Sequence, residues 1–468
     1  MNDILKPQVL VVGGGPGGYV AAIRCGQLGL DTVLVESDRL GGTCLIRGCI
    51  PSKALIHMAH RFSEMVEAAT GEGTKDGVSL TAKPSLDFTQ TMGWKDNIIS
   101  NLDKGVGSLL KKAKITTVLG WATFSDGKTC EVQTNDGVIT IKPTNIILAT
   151  GSTPIELPKL PFGGDIISST EALSLTKIPS DLVVIGGGYI GLELGSAYSK
   201  LGSNVSIVEA SDNILPQYDD RLVSPLKDAI EREGITLHLG AQATIFKNGT
   251  LFVEQKDGTV TKISATKVLV TVGRQPLTQG WGLENMPIKM AGSFIDVNEQ
   301  CLTSCTNVWA IGDIVGEPML AHKASAQGEM VAEIIAGKKR RFDPIAIPSI
   351  CYTSPEIVSV GLHPNESANE PHTITGVFPL AANGRSLIQS GVNCKGFVRV
   401  VALKSNHRIV GVQAVGHGIS ELSTAFTHAV ETGTILEDIA GIIHAHPSIG
   451  ESFHEASLSA LGRAIHAH

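Results

Sequence analysis

Near the start of the chain four consecutive apolar residues, Val9-Leu10-Val11-Val12, run straight into glycines. A short unbroken apolar run stopped by glycine predicts a strand buried on both faces, as parallel sheets require. The pattern returns at Leu182-Val183-Val184-Ile185. Each run leads, past a stretch of helical spacing, into a second apolar run, at 32–35 and 205–208. Two further buried strands are predicted at 146–151 and 268–273, each broken by a glycine. Asn135-Asp136-Gly137, Asn248-Gly249 and Asp257-Gly258 predict hairpin turns. Pro154, Pro158 and Pro161 mark one link, and Pro344 and Pro348 another, beyond which the pattern reads as strands followed by helices.

The glycines that stop the two first strands form a repeat. Gly13-x-Gly15-x-x-Gly18 and Gly186-x-Gly188-x-x-Gly191 lie 173 residues apart, and so do Glu36 and Glu209, which end the second strands. One such turn is weak evidence; two at matched spacing predict one nucleotide-binding plan used twice. The first glycine permits the turn, the second lets the backbone approach a pyrophosphate, and the third lets helix and strand pack closely. The helix N-terminus then offers free N–H groups to the phosphates, and the acid can accept a ribose diol. The fold expected is α/β, with two Rossmann-like dinucleotide-binding domains at 1–150 and 151–274, a central segment at 275–345, and a C-terminal α+β domain at 346–468.

Composition narrows the partners. The chain has 468 residues and a net charge of −7, which gives no broad surface for nucleic acid. Its one basic run, Lys338-Lys339-Arg340-Arg341, follows Gly337 at the end of a helix-like stretch and reads as a complement to the helix dipole. No apolar run is long enough for a membrane span and no leader pattern precedes the first strand, so a cytoplasmic protein is expected. Eight cysteines are too few for a disulfide scaffold, so any that matter are expected to matter for chemistry.

Cys44 and Cys49 stand in Gly41-Gly42-Thr43-Cys44-Leu45-Ile46-Arg47-Gly48-Cys49-Ile50-Pro51-Ser52-Lys53, ahead of a helical pattern. Five residues apart, they could close a disulfide if the turn between them is right, and near a helix N-terminus a thiolate becomes reactive. The spacing alone fits two buried structural cysteines equally well. Cys301 and Cys305 lie in a polar stretch with no such frame and are read as inert. Neither pair has the second ligand set of a metal site. Glu193, within the apolar stretch 189–195, reads from its surroundings as one residue on a solvated helix face.

A cysteine pair framed in this way, after such a glycine turn, resembles the pyridine nucleotide–disulfide oxidoreductases, and the match extends over essentially the whole chain. Trp309-Ala310-Ile311-Gly312-Asp313, Met319-Leu320-Ala321-His322, Thr150-Gly151-Ser152 and Gly273-Arg274 resemble further segments of that family. The resemblance implies FAD on Gly13, Gly15, Gly18, Glu36, Lys53, Gly120, Thr150, Gly151, Ser152, Asp313, Met319, Leu320, Ala321 and His322. It implies NAD on Gly186, Gly188, Gly191, Glu209 and Gly273. Cys49 would be the thiol in charge-transfer contact with the flavin, Cys44 the thiol that exchanges with substrate, and Lys53 would pair with Glu193 beside the flavin. The family often has Asn-Val where this chain has Ile46-Arg47.

Near the C-terminus stands His444-Ala445-His446-Pro447-Ser448-Ile449-Gly450-Glu451. Thiol exchange needs a group that takes and returns a proton, and an imidazole oriented by a carboxylate suits it. Alone, such histidines read as surface residues, with a metal site the lesser alternative. The resemblance implies His446 as base and Glu451 as its partner, leaves His444 without a role, and leaves His466 and His468 as tail. It further implies a homodimer built through the C-terminal domain and NAD-dependent oxidation of protein-bound dihydrolipoamide. The carrier would be a lipoyl domain of an acyltransferase or of the glycine-cleavage carrier protein. Glutathione-type reductases want basic residues after the second acid, whereas Glu209 is followed by Ala210-Ser211-Asp212. Mercuric and large thioredoxin reductases carry a further redox pair near the C-terminus, and no cysteine follows Cys394. Another disulfide reductase, or a non-catalytic assembly component, is the alternative; intact Cys44, Cys49, His446 and Glu451 argue against the latter.

Overall fold

Each strand the glycine turns terminate sits at the centre of a parallel sheet. The computed structural model describes residues 4–71, 77–364, 372–391 and 394–466. The chain divides into two compact units, one of Met1–Glu156, Ile167–Lys177 and Val272–Asp343, the other of Leu157–Ile166, Ile178–Thr271 and Pro344–His468.

In the first unit five parallel strands run in the order Val308–Ala310, Asn145–Leu148, Val9–Val12, Thr32–Glu36, Thr116–Leu119. Val9–Val12 is buried throughout, as its unbroken apolar character predicts. One face packs on the helix Pro16–Gln27, and that helix crosses Ala321–Ile335 so closely that a Cβ on Gly328 would run into the Gly17 carbonyl. The other face shares a core, around Phe124, Val132, Ile141 and Trp281, with a mixed sheet built partly from the predicted Asn135-Asp136-Gly137 hairpin. Two long helices, Cys49–Thr70 and Phe88–Lys112, complete the unit. Lys95, inside the second, is buried and donates from Nζ to the Leu173 carbonyl at 2.6 Å.

In the second unit Lys267–Val270, Asp181–Ile185, Asn204–Glu209 and Thr236–Leu239 pair in parallel in that order. The other two predicted turns join Ala241–Lys247, Thr250–Gln255 and Val260–Ser264 into a meander. After Pro344 comes a five-stranded antiparallel sheet, ordered Ser349–Cys351, Glu356–Gly361, Ile409–Gly416, Phe397–Leu403, Thr373–Pro379. The helix Glu451–Ala460 lies against Thr373–Pro379, and Gly376 allows it: a Cβ there would meet Ala456 and Ala460. Leu436 and Ile439 enter this core, while Ile442 and Ile443 stay outside it.

A buried ion pair ties the nucleotide half of this unit to its antiparallel sheet. Asp219 caps the helix Asp220–Arg232, accepting from the Leu222 amide, and both its oxygens accept from the Arg399 guanidinium, at 3.0 and 2.5 Å. Arg399 is buried and also donates to Gln413. Burial pushes the Asp219 carboxyl up, but the Arg399 fork and the Leu222 amide overcome it and hold the group below the usual carboxylate range. A carboxyl depressed in the folded state stabilises the fold above its unfolded value near ~3.9 and loses that contribution as pH falls through its folded value. Asp219→Asn leaves Arg399 buried without its counter-ion and is expected to cost about 3 kcal/mol. The check is a urea midpoint read at pH 7 and near pH 3: the variant should fall well below the native chain at pH 7, and the gap should narrow in acid.

Candidate active site

The two glycine turns make the same contacts. In the first, the Gly14 amide donates to Glu36 Oε2 at 2.6 Å and the Asp38 amide to Glu36 Oε1 at 2.8 Å. In the second, the Gly187 amide donates to Glu209 Oε2 at 2.6 Å and the Ser211 amide to Glu209 Oε1 at 2.7 Å. Gly13 and Gly186 sit at φ of +101° and +107°, which side chains seldom adopt. A Cβ on Gly18 or Gly191 would collide with the carbonyl of Gly13 or Gly186, so helix and strand pack there only because it is absent. The helices Pro16–Gln27 and Tyr189–Lys200 start at Gly15 and Gly188 with no side-chain cap. Their first-turn amides are therefore presented to whatever enters the turn. A crowded first and third glycine, an uncapped helix start and a fixed carboxylate fit a dinucleotide at both turns.

Around the first turn the remaining expected FAD residues are held by one another. The Gly120 amide donates to the Glu36 carbonyl at 2.9 Å. Thr150 Oγ1 donates to the Leu277 carbonyl at 2.8 Å, and the Leu277 amide to the Gly151 carbonyl at 2.9 Å. Ser152 Oγ donates to Asp313 Oδ2 at 2.5 Å and accepts from Arg274 Nε at 2.8 Å. Gly273 stands at φ +127°, directly before Arg274. Asp313 belongs to the short helix Gly312–Val315, whose first amide is held by buried Gln327 at 2.8 Å. Leu320 immediately precedes the helix Ala321–Ile335, with Ala321 and His322 in its first turn, and the Met319 amide donates to Glu317 at 2.9 Å. Sequence reasoning missed Gln327 and the buried Lys323, whose ammonium donates to the Gly316 carbonyl at 2.5 Å. Burial lowers the Lys323 pKa, with nearby Asp313 opposing the shift. A polar residue within the apolar face of a helix was the only signal they carried.

Cys44 and Cys49 form a disulfide, with Cα atoms 4.6 Å apart. Cys44 lies in the short helix Gly42–Arg47 and Cys49 opens the long helix Cys49–Thr70, whose first turn also holds Pro51. A proline there costs no hydrogen bond, since first-turn amides have no partner within the helix. Cys49 sits at the positive end of a 22-residue helix, where a thiolate is favoured. Both cysteines are half-buried, and Lys53 follows in the same helix. By contrast, burial pushes the thiols of Cys25, Cys130 and Cys301 up to about 12, which makes them inert. Cys301 and Cys305 are both free thiols.

His446 and Glu451 meet. His446 Nδ1 lies 2.9 Å from Glu451 Oε1, and the Ser448 amide donates to Glu451 Oε2 at 2.8 Å. The turn is fixed from outside by Asn383 Nδ2, which donates to the Ser448 carbonyl at 2.9 Å. Burial pushes the Glu451 carboxyl up, but the Ser448 amide and the His446 ring, with His444 behind them, keep it below the usual range. An ionised Glu451 holds Nδ1–H and leaves Nε2 of an exposed ring for proton transfer. His444 bonds the Ile442 carbonyl at 2.9 Å, and its ring lies 5.0 Å from that of His454.

Two expectations need correction. Glu193 is not on a solvated face: it is buried in the helix Tyr189–Lys200 and accepts from the Tyr352 amide at 2.9 Å. That amide comes from a segment 159 residues further along the chain, which no periodicity within the helix could reveal. His466 is more than tail, since its Nδ1 lies 2.7 Å from Glu455, a carboxylate buried in Glu451–Ala460; His468 lies outside the described residues. The basic run is neutralised locally, with Lys338 and Arg340 paired to buried Glu333 and Arg341 paired to Asp343. Among the described residues no helix is long and apolar enough to cross a membrane.

Residues 7–328 match the family described as pyridine nucleotide-disulphide oxidoreductase, and residues 347–457 match that family's dimerisation domain. The chain belongs to the pyridine nucleotide-disulphide oxidoreductase family. It is 52% identical over 468 residues to dihydrolipoyl dehydrogenase of Pseudomonas aeruginosa, covering 100% of both chains. It is 42% identical to dihydrolipoyl dehydrogenase of Geobacillus stearothermophilus, covering 99% of this chain and 98% of that one. The solved structure of LpdA from Mycobacterium tuberculosis superposes with a TM-score of 0.86 over 97% of this chain and 99% of that chain, at 24% identity. The HOCl-induced flavoprotein disulfide reductase RclA from Escherichia coli gives 0.84 at 22% identity, over 96% and 99%. These last two likenesses speak for the fold. As in its family, the cofactors are FAD and NAD, and the residues of the two turns fit them.

The second turn makes coenzyme choice testable. Glu209 has lone pairs beyond the two amides it accepts and can bind a ribose diol, while its charge opposes a 2′-phosphate. Glu209→Gln is expected to raise the KM for NAD about tenfold, the value of roughly one hydrogen bond to a charged group, and to relax discrimination against NADP. Steady-state kinetics with both coenzymes test it; equal kcat/KM values in the native chain would refute the role of Glu209.

Proposed function

We propose that the chain oxidises protein-bound dihydrolipoamide to lipoamide and reduces NAD to NADH. The observation that carries this reading is the full-length identity of 52% to a dihydrolipoyl dehydrogenase, and the Cys44–Cys49 disulfide supports its chemistry. Residues 1–150 would hold FAD with 275–345, residues 151–274 would hold NAD, and 346–468 would form the interface of a cytoplasmic homodimer. The partner would be a lipoyl domain, on an acyltransferase or on the glycine-cleavage carrier protein.

The exchange follows from the two fixed pairs. His446 Nε2 takes a proton from one substrate thiol, and the thiolate attacks Cys44 Sγ. The Cys44–Cys49 bond breaks and its electron pair leaves on Cys49, where the helix dipole stabilises the charge. The second substrate thiol then attacks the mixed disulfide, giving its proton to the imidazole as the imidazole's first proton passes to Cys44. Lipoamide leaves oxidised by two electrons, with Cys49 a thiolate, Cys44 a thiol and one proton on His446. Glu451 stabilises that imidazolium without taking the proton. When bound, FAD supplies the acceptor for the electron pair, and NAD the final hydride acceptor. Lys53 would pair with Glu193 beside the ring and hold its electrostatics constant.

An NADH-linked assay comparing lipoamide with glutathione disulfide tests the substrate: turnover confined to lipoamide is expected, and preference for glutathione disulfide would overturn the reading. Sulfur roles are tested by spectrum. Cys44→Ser is expected to keep a long-wavelength charge-transfer band and Cys49→Ser to lose it, both with FAD retained; the band in Cys49→Ser alone would reverse the assignment. A homodimer in which each site takes its cysteines from one chain and His446 from the other gives a third test. Cys44→Ser and His446→Gln chains, each nearly inactive, are co-expressed. Random pairing makes about half the dimers mixed, with one intact site in each, so roughly a quarter of native activity should return. A site contained within one chain would recover none.

A further inference from the structure

Arg47 is one of the two residues, with Ile46, at which the redox segment departs from its family's usual pattern, and the exchange chemistry makes no use of it. Its contacts lie in the first unit. Gly14, in the middle of the first glycine turn, uses both backbone groups: its N–H donates to Glu36 Oε2 at 2.6 Å and its carbonyl accepts from the Gly41 amide at 2.8 Å. Gly41 is the N-cap of the helix Gly42–Arg47, and a Cβ on Gly42 would intrude on the backbone of Gly15, so the start of the redox helix rests on the glycine turn. At the far end of that helix the Arg47 guanidinium pairs with Asp38. The Asp38 amide in turn donates to Glu36 Oε1 at 2.8 Å. The contacts close on themselves, from Gly14 to Glu36, Asp38 and Arg47, and back through the redox helix and Gly41 to Gly14. On its other side the 37–39 loop is pinned where Arg39 Nε and Nη2 donate to Asp103 Oδ2 at 3.1 and 2.9 Å.

We propose that Arg47 is a positioning residue for FAD: its ion pair with Asp38 closes this ring and so holds the Glu36 carboxylate in register with the glycine turn. The ring sets the separation between the groups that would meet the ribose and those that would meet the pyrophosphate, and it is made of protein contacts alone. Preorganisation of this kind lowers the cost of binding without adding a contact to the ligand. The pair is half exposed, so its effect is modest and sensitive to salt. This inference rests on the FAD of the family and not on the choice of disulfide substrate. A chain that failed to turn over lipoamide would leave it standing, and its own failure would leave the lipoamide reading standing.

The experiment measures release of FAD from the intact holoenzyme, followed as the rise of free-flavin fluorescence after dilution. Arg47→Met, which keeps most of the aliphatic stem, and Asp38→Asn are each expected to speed release about two- to fivefold, the range of an exposed ion pair. The double variant should release no faster than either single one, because both remove the same interaction. Arg47→Lys should retain part of the effect, and the exchanged pair Arg47→Asp with Asp38→Arg should restore part of it. Raising salt from about 0.1 M to about 1 M, where the screening length falls from ~10 Å to ~3 Å, should speed release from the native chain toward the rate of the variants and leave theirs nearly unchanged. Single variants that release FAD at the native rate, or whose effects add independently, would overturn the proposal.

Discussion

Glu36 and Glu209 each accept a backbone N–H from the middle of a glycine turn, from Gly14 and Gly187 at 2.6 Å. This contact binds the end of one strand to the turn that follows its neighbour, and so fixes where a helix starts relative to the sheet. It also spends one lone pair of a carboxylate and leaves others available, which is why the same residue can be both a strut and a ligand. Everything at the two nucleotide sites is arranged about it. The third glycine lets the helix approach, the uncapped first turn faces the opening, and the residue two beyond the acid closes the other oxygen. That both copies agree in all these details, 173 residues apart, points to a common physical solution.

Charge is managed differently at the two reactive centres. Cys49 meets its charge with a helix dipole, a fixed field that needs no second side chain. In the proposed reaction His446 would acquire charge and would need a partner already ionised, and the Ser448 amide and the imidazole outweigh burial to hold the Glu451 carboxyl below its usual range. The inert cysteines show the converse. Burial outweighs what compensation there is and drives Cys25, Cys130 and Cys301 up to about 12, so the same element is a structural apolar group in one place and a redox centre in another.

The sequence by itself determined the parallel strands, the hairpins and the repeat. In each case the controlling interaction is local: strand burial follows from an unbroken apolar run, a hairpin from its turn residues, and a nucleotide turn from glycines at fixed offsets. The His446–Glu451 pair was legible only through the resemblance, since a histidine five residues from an acid has many meanings alone. Tertiary structure decided what local pattern could not. Glu193 looked solvated until the Tyr352 amide, which follows the strand Ser349–Cys351, reached its carboxylate. His466 looked like tail until Glu455 reached it, and Lys95 gave no sign that it would be buried against the Leu173 carbonyl. Ile442 and Ile443 share their apolar character with Leu436 and Ile439 but not their place in the core. Arg47 stood out only as a departure, and no local pattern marked Asp38, two residues past the strand Thr32–Glu36, as its partner. Burial and pairing are properties of what covers a residue, and the covering segment is usually remote in the chain.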